Sequence, residues 1–534
     1  MYRYKIDSSF DRIPLEINII KVPLNNKGFA DLLSINLEYT CKLNRAKNRI
    51  NEYNSSVWEE VKKHTNPYEF IYAFNNKHKG NDYRSVSLYK PLSRSFFKMI
   101  EIIHEFYPCI LNNDFKSSRK FYQKKKKKDK IFIFDDDSDM NSDMNNDMNS
   151  NINSDMNSDM NSNSYDELTK TSENAISKLI SVHIAEGPGG FIEAVRFVRK
   201  GKYDDHAFGM TLIDNKYNIT QIKDTRDNFL EKSYQNKRFN VGSASSTEAP
   251  SASSITIHIP GWKQSNNFLL HNPEVHIIYG ADGTGNIYKP ENINFLFNEM
   301  IKNSKDTNRK DTNSKNTNRK DTNYMINMDM NMDMDMNMEY LAHLITADGG
   351  FDFSVEYNYQ EQSSIKLIFS QIIAAIKCQR INGTFICKFF DINLYFTAEM
   401  LYLLYTVYDK ITIYKPFTSR IANSEKYIIC NNFRGISKDL LDNLFNVLNE
   451  WNEYKSETIN QIFKEIPIIF IDKIIEINKE IVDAQIYSIN NAIDIIKKQK
   501  FITNSFNYSS NLTVEKQIKY AKDWCNRYNI PYKH

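Results

Sequence analysis

The stretch LISVHIAEGPGGFIEAVRFV, residues 179–198, decides the fold. Its first six residues are apolar and β-branched, the pattern of a short buried strand. The chain then enters the turn Glu186-Gly187-Pro188-Gly189-Gly190. Beyond the turn, Phe191, Ala194, Val195 and Val198 recur at helical spacing and share one face. A glycine-rich turn between a first strand and a helix lets the backbone approach a ligand, and the helix N-terminus favours negative charge. The GxGxxG of dinucleotide folds is absent, and Pro188 stiffens this turn instead.

Outward from that unit, strand-like and helix-like segments alternate. Residues 208–213, 275–280 and 343–348 read as strands. A helix over 365–379 places Ile365, Ile368, Phe369, Ile372 and Ile376 inward, with Asn382-Gly383 closing it before a strand over 384–389. Alternation of this kind implies an α/β fold, a parallel sheet covered by helices on both faces. Residues 411–414 and 427–430 are close enough to pair as an antiparallel edge. Upstream, a helix is expected around 95–106; downstream, 438–534 reads as helical, most clearly in DLLDNLFNVLNEW and VEKQIKYAKDWC.

Much of the 534-residue chain cannot pack. Residues 135–164 are mostly Asn, Asp, Ser and Met, and 303–338 repeat a DTNRK-like unit before alternating Met with Asp or Asn. Neither tract has the apolar side chains to offset the entropy of ordering its backbone. Both read as disordered insertions, as does 215–254, and all three fall between elements, where added length costs little. The expected division is an N-terminal region over 1–134, an insertion over 135–170, a core over 171–437 and a helical extension over 438–534. The net charge of +3 announces no nucleic-acid partner, and the basic run 124–128, followed by Asp135, Asp136 and Asp137, reads as a solvated loop. Six scattered cysteines without metal-like pairs suit reduced thiols, so no metal is expected. No leader-like segment and no membrane-length apolar run is apparent, which points to a soluble intracellular chain.

Ligands on open parallel sheets sit beyond the carboxyl ends of the strands. Asp282, Asn286, Asp348 and Gly349 fall at such ends, where polar groups can hold a nucleotide-like cofactor. For Asp282 and Asn286 a plain turn or cap role is equally open.

At this point a series of motifs becomes specific: TNPYE (65–69), SRSFFKM (93–99), EGPGGF (186–191), FGMTL (208–212), YKPENI (288–293), TADGGF (346–351), GTFICKFFD (383–391), YLLY (402–405) and KPFTSRIANSEKYIIC (415–430). In this order they resemble the FtsJ-class RNA ribose 2′-O-methyltransferases, and more closely the cap-specific mRNA enzymes of eukaryotes and large DNA viruses. IPGW (259–262) departs from the cellular enzymes. The resemblance implies a doubly wound, Rossmann-like sheet binding S-adenosylmethionine, with a Lys-Asp-Lys-Glu tetrad. Carried over motif by motif, the tetrad is Lys98, Asp348, Lys388 and Glu425. The cofactor set is Glu186, Gly187, Pro188, Gly189, Gly190, Phe191, Asp282, Asn286, Ile287 and Asp348. Asn423 matches a substrate-contacting position, and Asn358 and Gln360 do so across a length difference. RNA is the implied partner, with capping or transcription machinery beside it. Nucleus or cytoplasm is the implied compartment, or the virion for a viral protein.

The residue types suit the chemistry. A ribose 2′-hydroxyl is a weak nucleophile that must lose its proton as a methyl group arrives. A free lysine, with a pKa of about 10.4, is a poor base at neutral pH. Burial and a second ammonium nearby lower that value, so Lys98 beside Lys388 is expected to depress it. Lys388 is then the general base, Lys98 positions the hydroxyl, and Asp348 and Glu425 orient the pair. Ribosomal or transfer RNA 2′-O-methylation, and a non-catalytic methyltransferase-like RNA-binding scaffold, are the alternatives.

Overall fold

The computed structural model describes residues 2–6, 12–23, 34–72, 85–111, 176–201, 204–213, 261–262, 266–306, 338–350, 357–453, 457–499 and 514–533. The basic run 124–128, the tracts 135–164 and 215–254, residues 259–260 of IPGW and residues 307–337 of the second repeat tract lie outside these.

In chain order the elements are β1 (Tyr2–Ile6), β2 (Ile17–Pro23), α1 (Leu37–Asn48), α2 (Ser55–His64) and α3 (Ser95–Phe106). The strand–turn–helix unit read from the sequence follows as β3 (Ile180–Ile184) and α4 (Gly190–Val198). Next come β4 (His206–Met210), α5 (Asn266–His271), β5 (Val275–Ile278), α6 (Pro290–Asp306) and β6 (Ala342–Ala347). The chain continues through α7 (Gln360–Cys378), β7 (Gln379–Phe389), α8 (Tyr395–Val407), β8 (Tyr408–Lys415) and β9 (Lys426–Phe433). It closes with α9 (Lys438–Glu453), β10 (Glu457–Phe463), α10 (Ile468–Gln499) and α11 (Val514–Arg527).

The main sheet runs β1-β8-β9-β7-β6-β3-β4-β5. Pairing is parallel from β5 through β4, β3 and β6 to β7, and antiparallel where β9 meets β7 and β8, and where β1 meets β8. Neighbouring residues serve opposite faces, as the pleat requires. Ile345, Phe385 and Ile428 join one core with α6, α7 and α8, whereas Leu344, Ile386 and Ile429 join another with α3, α4 and α11. All five residues of β3 are buried, which explains why it reads as a continuous apolar run. Its two polar interruptions, Ser181 and His183, bond each other at 3.0 Å, and His183 also meets Thr346 Oγ1 at 2.8 Å. The expected α/β sheet, doubly wound and flanked by helices, is what the chain forms.

Three expectations change in detail. The 411–414 and 427–430 segments do pair antiparallel, Ile411 opposite Cys430 and Tyr414 opposite Tyr427. They do not form the edge, because β1 adds outside β8, with Tyr2 opposite Lys415. Asn382-Gly383 does not close a helix: α7 ends at Cys378, and Asn382, at φ 62°, bulges inside β7, where the register against β6 shifts. Within the downstream segment read as helical, residues 457–463 form a strand, paired with β2 from the far end of the chain. Each difference depends on a partner distant in sequence, which local periodicity does not carry.

Candidate active site

The sheet's winding reverses between β3 and β6: β3 leads through β4 to β5 on one side, and β6 leads to β7 on the other. A cleft of about 760 Å³ opens beyond the carboxyl ends of these strands, where that reversal places it. Ala185 and Gly187 of the glycine turn, Asp348 after β6, Lys388 on β7 and Glu425 before β9 all line it.

Lys98 comes from α3, an amphipathic helix whose Phe96, Phe97, Met99 and Ile100 are fully buried. Its Nζ lies 2.7 Å from Glu425 Oε1. Lys388 Nζ lies 3.2 Å from Asp348 Oδ1 and donates to the Asp348 carbonyl at 2.7 Å. These are two lysine–carboxylate pairs, each less than one-fifth exposed, and Glu425 feels both ammonium groups. Burial works against the Glu425 carboxylate, but Lys98 and Lys388 outweigh it and hold its pKa at about 2.

The expected depression of Lys388 is not what this arrangement produces. Burial does disfavour its ammonium, yet Asp348 and then Glu425 more than compensate, and its pKa stands above the ordinary lysine value. Lys98 is spent on Glu425, so the carboxylates set the field at Lys388.

The remaining expected residues divide. Glu186 is buried beneath the turn, its Oε1 accepting from the Phe191 amide at 2.5 Å and the Ile192 amide at 3.3 Å, with Oε2 lacking a hydrogen-bond partner among the described residues. Burial pushes its pKa well up. Gly187, Asn286, Ile287, Gln360 and Asn423 line the cleft. Pro188, Gly189, Gly190 and Phe191 do not; Gly189 makes the turn at φ 109°, and the Phe191 ring is core. Asp282 is also outside the lining, its carboxylate taken by Lys289 Nζ at 2.6 Å, the Thr284 amide at 3.0 Å and Asn292 at 2.9 Å. That is the turn-and-cap role. Asn358 bonds Asn48, away from the lining, and Gln360 bonds Ser424.

Several contributors went unassigned at the sequence level. Tyr427, opposite Lys388 in the β7–β9 ladder, donates its hydroxyl to Asp348 Oδ1 at 2.9 Å. Glu69 of TNPYE accepts from Arg94 at 2.8 Å and Arg420 at 2.7 Å, joining three of the motifs through one carboxylate. Lys415 and Lys426 are buried and donate to the backbone carbonyls of 423–425. The outer cleft is walled by Lys47, Trp58, Lys62 and Gln485 from α1, α2 and α10. Tyr427 and Glu69 stood inside quoted motifs; the outer wall carries no motif, only amphipathic helices.

A parallel sheet whose winding reverses between β3 and β6, a glycine turn after β3 and an ion-paired cleft beyond the strand ends define a doubly wound, Rossmann-like α/β fold. Residues 243–433 match the FtsJ-like methyltransferase family. It is 27% identical over 359 residues to cap-specific mRNA (nucleoside-2′-O-)-methyltransferase 1 of Mus musculus, covering 67% of this chain and 33% of that protein. The Homo sapiens protein of the same name is 27% identical over 252 residues, 47% of this chain and 26% of that one. Methyltransferase 1A of Caenorhabditis briggsae is 36% identical over 146 residues, 27% and 16% of the two chains. The matched region thus spans a third or less of these relatives' length. Among solved structures, a putative ribosomal RNA methyltransferase from Plasmodium falciparum aligns over 51% of this chain and 97% of that one, with 14% identity and a TM-score of 0.25.

Proposed function

We propose that this chain transfers a methyl group from S-adenosylmethionine to the ribose 2′-hydroxyl of a cap-proximal nucleotide of mRNA. The observation that carries the reading is the convergence of Asp348, Lys388 and Glu425 on one cleft with Gly187 of the glycine turn, Lys98 standing behind the lining in its pair with Glu425. The cap-specific assignment rests on the names of the relatives.

The cleft suits the cofactor. The turn leaves no room for a side chain at Gly187, where a Cβ would stand 2.6 Å from the Gly261 carbonyl, so backbone borders the cleft there. Ile184, Met210 and Ile287 offer apolar walls beside polar Asn286, a composition suited to an adenosine. When bound, the cofactor supplies an electrophilic methyl group on a good leaving group.

The chain's own part is to place and deprotonate the hydroxyl. Neutral Lys388 keeps two N–H groups and one lone pair. Asp348 offers its carbonyl and one carboxylate oxygen to the N–H groups, which leaves the lone pair for the hydroxyl proton. Lys98, held by Glu425, donates to the hydroxyl oxygen and fixes its direction of attack. Tyr427 and Lys388 both hold Asp348, so the carboxylate does not swing away. Alignment of this kind contributes roughly 7–11 kcal/mol in well-oriented intramolecular reactions.

Incubation with methyl-labelled cofactor and matched capped and uncapped short RNAs tests the reading. Label is expected on a ribose next to the cap in the capped RNA alone. Equal labelling of both removes the cap assignment, and absence of cofactor binding by calorimetry leaves the scaffold.

A further inference from the structure

Glu101 lies three residues beyond Lys98 on α3 and is fully buried. Its carboxylate accepts from the Tyr414 hydroxyl at 2.5 Å, the Phe417 amide at 2.7 Å and Trp524 Nε1–H at 3.1 Å, with a longer contact from the Thr418 amide at 3.4 Å. These donors belong to β8, to the turn that follows it and to α11. The same turn leads to Ser419, whose hydroxyl donates to Glu425 Oε1 at 2.9 Å. A closed ring results, from Lys98 along α3 to Glu101, across to Phe417, along to Ser419, and through Glu425 back to Lys98. α11 touches a second point beside this ring. Gln517 donates to the carbonyls of Asn66 at 2.7 Å and Lys63 at 3.1 Å, just before Glu69, which holds Arg94 and Arg420.

Stability alone does not account for this choice of residues. A buried carboxylate forfeits hydration that an apolar side chain of similar volume would never need, so polar groups in such places are best explained by the geometry they impose. We propose that the C-terminal helix α11 is a working part of the methyl-transfer site, with Glu101 and Trp524 as positioning residues for the Lys98–Glu425 pair. The inference rests on the function proposed above.

The test uses the full chain with Trp524→Phe, which keeps a ring but removes the Nε1–H, and Glu101→Gln, which keeps the volume. Competitive acetylation of lysines, read by mass spectrometry, reports whether Lys98 is still held, independently of turnover. Faster acetylation of Lys98 with Lys388 unchanged is expected in both variants. A fall in kcat of about tenfold to hundredfold is expected, the scale of a misaligned reacting group, with KM and cofactor affinity little altered. The double variant should be no worse than the poorer single one, because Trp524 acts on the ring only through the Glu101 carboxylate. Unchanged Lys98 acetylation and unchanged kcat in both variants overturn the proposal. So does a common rise in Lys98 and Lys388 acetylation alongside a lowered Tm, the mark of a merely loosened core. If the unaltered protein methylates no RNA while Lys98 still responds to both substitutions, the coupling stands and the methyltransferase reading falls.

Discussion

Lys388 is held on one side by the carbonyl and carboxylate of a single residue, Asp348, and that geometry makes its role measurable. Lys388→Ala removes the base and leaves the turn and apolar walls in place. Methylation should fall by roughly 10²–10⁴-fold, the usual worth of a general base, while cofactor binding by calorimetry is retained. The sign of the pH dependence follows from the carboxylates. They keep the Lys388 pKa above its ordinary value, so the reactive neutral amine is scarce at neutral pH. Its share grows about tenfold per pH unit below the pKa, and kcat in a single-turnover assay should climb from pH 7 to 9 without levelling. Glu425→Gln removes one of the two charges opposing deprotonation. The rising limb should then move to lower pH even though Lys98 loses its partner and the rate falls. A limb that stays where it was would show that Glu425 does not act on Lys388.

Among elements, the turn after β5 decides whether the cofactor side of the cleft exists. Gly285, at φ 68°, donates its amide to the Tyr279 carbonyl at 2.7 Å, and neighbouring Thr284 accepts from the Ile213 amide at 2.9 Å. A Cβ on Gly285 would run into the Thr211 carbonyl, which is backbone and has no rotamer to escape through. Gly285→Ala combines that clash with a left-handed strain of about 1–3 kcal/mol. Cofactor affinity should drop at least as much as stability, checked by calorimetry beside thermal melting. This glycine lies between Asp282 and Asn286, both of which stood out in the sequence, yet nothing in DGTGN says which residue faces the cleft. The helix signal at 95–106 was legible because seven apolar side chains repeat on a face; the Asn382 bulge was not, because Asn-Gly also ends helices.

For the molecule as a whole, buried titratable groups predict the shape of stability against pH. Burial pushes Glu193 and Glu361 up to about 7 and Glu399 up to about 8. The folded state binds more protons than the unfolded one between about 4.5 and those values, so these groups lose stability as pH rises. Burial lowers His206 to about 4 and His183 and His343 to about 3. Their stability is full above about 6.5 and is lost as pH falls toward 3. From about 6.5 to 4.5 the three imidazoles oppose these carboxyls, with Glu186 and Glu101, also raised by burial, on the carboxyl side, so Tm should hold or rise slightly as pH falls. Below about 4.5 the carboxyl gain ends, while Glu69 and Glu425 join the loss. Burial works against both, but the Arg420–Arg94 and Lys98–Lys388 cations hold them near 2. Melting curves should show a plateau or slight rise and then a steep acid limb; a steady decline from pH 6.5 would contradict this balance.

What the sequence determined by itself was local: a β-branched run, a glycine turn and a one-sided helix imply a parallel α/β unit. Those signals are periodicities and short spacings, readable because each is complete within a few residues. The proposal of Lys98, Asp348, Lys388 and Glu425 as one site came instead from resemblance to a known family. Tertiary structure alone decided which carboxylate each lysine meets, and therefore that Lys388 is raised and not lowered. It also decided that β1 closes the sheet, that β10 pairs with β2, and that Trp524 reaches Glu101 across more than 400 positions. The reason is physical: a pKa, a sheet edge and a buried hydrogen bond depend on distances through space, and a linear pattern records only distances along the chain.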